Sequence, residues 1–183
     1  MSTRISATPA MKGSGRGWLA PVIHVMLGRP AFEQRGGMFA VALALQLAGA
    51  GLLGWISWVH WHLWQLGYKD IPTDGPFFLI DAISAILLAV ALLAWRRPLT
   101  GLASAGFVLS TILGLVISLW VGLFGFHESI SASYVVQSLV LESVAVVILT
   151  AWTVIAASRV HRGDILARGT GSPSAPRWFR SGR

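Results

Sequence analysis

Cysteine is absent from the 183 residues, which excludes disulfides, thiolate metal sites and a thiol nucleophile. Charge is scarce as well. Only 11% of the residues are Asp, Glu, Lys or Arg, against about 25% in ordinary soluble domains. Acidic residues number seven against fourteen Lys and Arg. There is no Gly-x-Ser-x-Gly elbow, no Walker loop and no dinucleotide fingerprint, so nothing argues for an enzyme. His-Glu-x-x-His, Glu-x-x-His and Cys-x-x-Cys-His spacings are missing too.

What the chain has instead is apolar length. Of its residues 55% are hydrophobic, and the charges gather before Met38 and after Ser158. A hydrocarbon core of ~30 Å takes about 20 apolar residues in a helix that rises ~1.5 Å per residue. Four segments reach that length, at about 38–59, 77–95, 102–126 and 134–157. The first has no firm stop before Gly67, so its helix can continue to Trp64. The expected fold is therefore all-α, a polytopic four-transmembrane-helix bundle over residues 37–158. Residues 1–36 form a basic tail with a short interfacial segment at Trp18–Leu27, and residues 159–183 a basic disordered tail. Trp18–Leu27 is too short to span, and no small-residue cleavage site follows it, so the chain is read as uncleaved.

Orientation follows from the cations. The N-terminal flank holds Arg4, Lys12, Arg16, Arg29 and Arg35; the second turn holds Arg96 and Arg97; the C-terminal flank holds Arg159, Arg162, Arg168, Arg177, Arg180 and Arg183. The other two loops hold Lys69 alone. By the positive-inside rule both termini are cytoplasmic and the Lys69 and His127 loops lie outside. A net charge of +7 placed in such flanks points to lipid head groups and not to nucleic acid.

The third helix carries Gly106, Ser110, Gly114, Ser118 and Gly122, a small residue at every fourth position. In lipid, helices associate through close backbone approach, which small residues permit. The stripe is expected to seat helix 3 at the centre of the bundle; alternatively it forms a homo-oligomer seam or docks a larger membrane complex. Trp55, Trp58, Trp61 and Trp64 end helix 1 as an aromatic belt. Gln46, deeper in that helix, is expected to donate an interhelical hydrogen bond.

Candidate site residues gather toward the outer half: His60, His62, Asp81, His127 and Glu142. Carboxyls inside a membrane are costly and by default face the bundle interior with a partner. Asp81 and Glu142 are the strongest candidates, expected at similar depth. The group suits a proton or cation site, a metal centre or a haem held between histidines. It also suits purely structural hydrogen bonding, with Glu142 meeting Trp120, Ser57 or Gln137. His60 and His62 are about 200° apart on a helix, so both face one site only if the helix unwinds. No specific cofactor follows.

His60-Trp61-His62-Leu63-Trp64, Gly67-Tyr68, Ile71-Pro72, Gly75-Pro76-Phe77-Phe78-Leu79 and Trp120-Val121-Gly122-Leu123-Phe124-Gly125-Phe126 resemble segments of small four-span integral membrane proteins of high-GC Gram-positive (actinobacterial) bacteria. The resemblance covers the central half of the chain. It implies the four-helix fold and a bacterial plasma membrane, multi-pass, and brings no activity with it. The expected function is that of an accessory or interaction protein of a membrane complex. The alternatives are a metal-, haem- or proton-binding protein built on the outer cluster, and a small oligomeric transporter.

Overall fold

A computed structural model of the chain describes residues 19–30, 36–122, 129–131 and 134–169, with side chains to Leu166 in the last segment. The described residues are helical and turn, with no strand among them. The helices are α1 (Leu19–Leu27), α2 (Gly37–Gln65), α3 (Asp74–Ala94), α4 (Pro98–Trp120) and α5 (Val135–Gly169), and a 3-10 turn at Tyr68–Asp70 joins α2 to α3. Among the described residues, α2 to α5 are the four helices long and apolar enough to cross a membrane. Large apolar side chains stand exposed in mid-helix, among them Leu47, Leu87, Val90, Leu113 and Val147. Water would penalise that outward surface, whereas a bilayer solvates it.

Two ends of the bundle can be told apart. One, here the terminal end, holds α1, the starts of α2 and α4 and the Arg96-Arg97 turn. The far end holds the 3-10 turn and the starts of α3 and α5. The core between them is small and dense: Leu53, Leu92, Val108, Leu149 and Trp152 are fully buried and pack with Ala85, Ala89, Ala145 and Ala156. Alanines on α3 and α5 bring backbones close, which supplies van der Waals contact where lipid offers little hydrophobic drive. Gln46 lies within this layer and its amide donates to the Leu92 carbonyl at 2.8 Å. Leu92 is within the last turn of α3, where carbonyls lack intrahelical donors, so Gln46 completes the end of a neighbouring helix.

The helix limits differ from expectation in three places. α3 starts at Asp74, before Gly75 and Pro76, because a proline in the first turn removes only an N–H that has no intrahelical acceptor. α4 occupies 98–120 instead of 102–126. Pro98 opens it, and Gly122 closes it at φ +82° with its N–H donating back to the Ile117 carbonyl, the geometry of a C-terminal glycine stop. α5 continues through the basic segment to Gly169, so residues 159–169 are helical and not part of a disordered tail. That extension has a partner. Val160 is buried at 5% exposure, and His24 of α1 lies 2.9 Å from Asp164.

The stripe on α4 does not form the packing seam. A Cβ on Gly106 or Gly114 would meet nothing within 4 Å. The close approach is made on another face, at Gly101, where a Cβ would run into Thr153 Oγ1 and the Trp152 ring. Gly101, Ala105 and Val108 therefore seat α4 on α5. Gly122 belongs to the helix stop. The five-residue pattern breaks up because an α-helix drifts by ~40° for every four residues, so a strict four-residue repeat does not stay on one face over its length.

Candidate functional site

Where the small residues of α4 fail to meet a neighbour, the bundle holds a cavity of about 350 Å³ in its far half. All four spanning helices and the 3-10 turn contribute to it. α2 supplies His60 and Leu63; α3 supplies Asp74, Phe77, Phe78 and Asp81; α4 supplies Ser110, Thr111, Gly114, Leu115 and Ser118; α5 supplies Val135, Ser138 and Glu142. Tyr68 and Tyr134 close it toward the far end. Phe77 and Ser110 are both cavity-lining and exposed, so the cavity reaches the outer surface of the bundle along α3 and α4. Toward the terminal end, the fully buried layer of Leu53, Leu92, Leu149 and Trp152 closes the bundle.

Asp81 and Glu142 each lie seven residues into their helix from the far end, a depth of about 10 Å by the helical rise. Local sequence explains why both point inward. On α3, Asp81 shares a face with Asp74, Phe77 and Phe78, the residues that meet the 3-10 turn and α2. On α5, Glu142 is three residues before Ala145 and seven before Leu149, both fully buried.

Glu142 is 2% exposed, and its Oε2 lies 3.0 Å from Thr111 Oγ1 on α4. The same Thr111 hydroxyl lies 2.8 Å from the Val108 carbonyl. A hydroxyl owns one proton, so two arrangements exist. With Glu142 neutral, its O–H donates to Thr111, which donates to Val108. With Glu142 ionised, Thr111 turns its proton to the carboxylate and leaves the carbonyl. The proton on Glu142 thus sets the hydrogen bonding of the α4 wall.

His60 is also buried, at 9% exposure. Its Nδ1 lies 2.9 Å from the Ile56 carbonyl. A carbonyl can only accept, so Nδ1 carries a proton and the neutral ring presents Nε2 as an acceptor. Nε2 stands 3.9 Å from Asp81 Oδ2, beyond direct hydrogen bonding and close enough for the two groups to act on one ligand or one water. Phe78 fixes the ring from one side with centroids 5.6 Å apart.

Of the five candidates, then, the structure brings His60, Asp81 and Glu142 to one cavity. His62 is not there. It stacks on Trp58 with centroids 5.0 Å apart and 6° between planes, and its edge meets Tyr134 at 5.6 Å. α2 does not unwind, so the two histidines face different ways. His127 lies outside the described residues. Among the described residues no three His, Asp or Glu side chains converge as a metal would need.

Two of the three expected partners of Glu142 lie elsewhere: Ser57 donates to the Ala82 carbonyl at 2.7 Å, and Trp120 is 83% exposed. Thr111 holds that place. A mid-helix threonine beside Ser110 was the available signal, weak because such hydroxyls more often bond their own helix. Tyr134 was missed too. Its φ of +70° is unusual for a bulky residue, and it sets the ring against Trp58, His62 and the cavity.

No known protein family, curated protein or solved structure matches the chain.

Proposed function

We propose that this chain is a membrane-embedded binding protein that takes a small apolar molecule bearing a protonated amine from the bilayer into the α3–α4 cavity. One observation carries the reading: His60, Asp81 and Glu142, from three helices, line a single apolar-walled cavity open toward lipid. Cavities of about 300–1,000 Å³ with apolar walls and a few convergent polar groups are the usual form of ligand sites. The polar groups also suggest the ligand's sign. The imidazole Nε2 and the carboxyls of Asp74, Asp81 and Glu142 offer acceptors, with no Lys or Arg on the lining, which favours a cation that donates hydrogen bonds. Phe77, Phe78, Tyr68 and Tyr134 supply ring faces that attract a cation.

In this reading both chain ends lie in the cytoplasm of a bacterial cell and the cavity opens in the outer half of the plasma membrane, as the Lys and Arg distribution favours. The probe is 9-aminoacridine, a cationic aromatic amine, dialysed to equilibrium against the protein in nanodiscs. Saturable binding with one site is expected. The paired isosteres Asp81→Asn and Glu142→Gln are expected to weaken it about tenfold or more, the usual scale for a lost charge-assisted bond. Uptake no greater than that of empty nanodiscs would remove the proposal.

A second reading, an accessory protein of a larger membrane complex or a homo-oligomer, is favoured by the open α4 face. Gly106 has no neighbour within 4 Å of a Cβ, with Leu102, Leu109 and Leu113 exposed around it. Cross-linking in native membranes, followed by its loss in Gly106→Leu, tests it. Transport by a single copy is not supported, since buried side chains close the terminal half.

A further inference from the structure

At the terminal end a second cavity, of about 400 Å³, is lined by Arg29, Pro30, Phe39, Trp95, Arg96 and Arg97 together with Ala94. Its three arginines come from two distant parts of the chain, the segment after α1 and the α3–α4 turn. None of the three makes an ion pair with a described residue, and no described acidic residue lines the cavity. Three arginines around one hollow, with no described acid beside them, make it a place suited to an anion.

The position in the fold says which anion. α3 ends at Ala94, α4 begins at Pro98 and Phe39 lies in the first turn of α2, so the cavity is level with the ends of three spanning helices. That is the depth of lipid head groups. Trp95, 62% exposed, stands there as interfacial tryptophans do. Leu93, Leu99 and Leu102, near the same helix ends, are exposed and offer apolar surface to acyl chains. The turn is held in shape beforehand: the Thr100 hydroxyl lies 2.7 Å from the Arg97 carbonyl and 3.1 Å from that of Trp95.

We propose that this cavity is a binding site for the phosphate head group of an anionic phospholipid, seated between Arg29 and the Arg96-Arg97 turn. Guanidinium forks match phosphate oxygens bidentately, and basic pockets at helix ends are known to suit such head groups. The occupant fastens the segment after α1 to the α3–α4 turn, between which no ion pair is made among the described residues.

The test is native mass spectrometry of the full chain released from nanodiscs that contain phosphatidylglycerol and phosphatidylcholine in equal amounts. One retained phosphatidylglycerol is expected on the wild type. Arg29→Gln and Arg96→Gln are each expected to lower its retention about fivefold, the scale of one interfacial cation. Arg162→Gln removes the same charge from an exposed place outside the cavity and is expected to keep retention unchanged, and Arg96→Lys to lower it less than Arg96→Gln. Thermal unfolding of each variant separates lost binding from lost folding. Equal retention of phosphatidylcholine, or the same loss in Arg162→Gln, would overturn the proposal. So would displacement of the lipid by millimolar inorganic phosphate, which would mark a site for a free anion.

Discussion

Thr111 of α4 and Glu142 of α5 meet at 3.0 Å in the half of the bundle where the small residues of α4 leave a cavity. The contact joins two helices that are otherwise seated on each other at Gly101 and Trp152, toward the terminal end. Thr111→Val removes the hydroxyl and keeps the shape. It is expected to cost about 0.6 kcal/mol and at most about 1.7, the measured range for hydrogen bonds between membrane helices. Glu142→Gln keeps a donor for Thr111 and is expected to cost less. Reversible unfolding in mixed micelles reads both; a Thr111→Val protein as stable as wild type would show that the contact contributes nothing.

Glycines on α4 divide into two classes. Gly101→Ala drives a methyl group into Thr153 and Trp152 and is expected to destabilise by about 1–3 kcal/mol, the usual cost of overpacking. Gly106→Ala enters open space and is expected to be neutral or to stabilise by up to about 1 kcal/mol, since alanine is the better helix former. Tm in detergent compares them directly. A destabilised Gly106→Ala would locate a neighbour on that face and favour the accessory reading.

Gln46→Leu fits the apolar layer by shape and loses the bond to the Leu92 carbonyl. The end of α3 then has one unsatisfied acceptor more, and a loss of about 0.6–1.7 kcal/mol is expected. Hydrogen exchange adds a local readout: the last turn of α3 is expected to exchange faster, with α5 unchanged. Uniform loss of protection would indicate general loosening instead of a missing cap.

The four spans were legible because a bilayer sets a length that no local preference overrides. Gln46 was legible for a related reason, since a lone amide at mid-depth has few places to go. The α4 stripe misled because spacing on one helix says nothing about where its neighbours stand. Gly101, whose close approach matters most, starts a short small-residue pair with Ala105 in the first turns of α4, a signal fainter than the longer stripe beside it. His60, Asp81 and Glu142 could be nominated from cost alone, whereas their convergence depends on helix rotation. Their separation from His62 follows from the 3.6-residue turn once α2 is known to be unbroken. Thr111 and Tyr134 were hidden because each acts across a seam and neither residue type is rare at such positions.

The most direct test of the cavity as a binding site is equilibrium dialysis of 9-aminoacridine against nanodiscs holding wild type or Gly114→Leu. Gly114 lines the cavity, and a Cβ there meets nothing within 4 Å, so a leucine starts in open space and adds its bulk at the cavity wall. Saturable binding by the wild type, abolished in Gly114→Leu at unchanged Tm, is the expected result. Equal binding by the two proteins would contradict it, and the amine would then be held by the bilayer or by another surface of the chain.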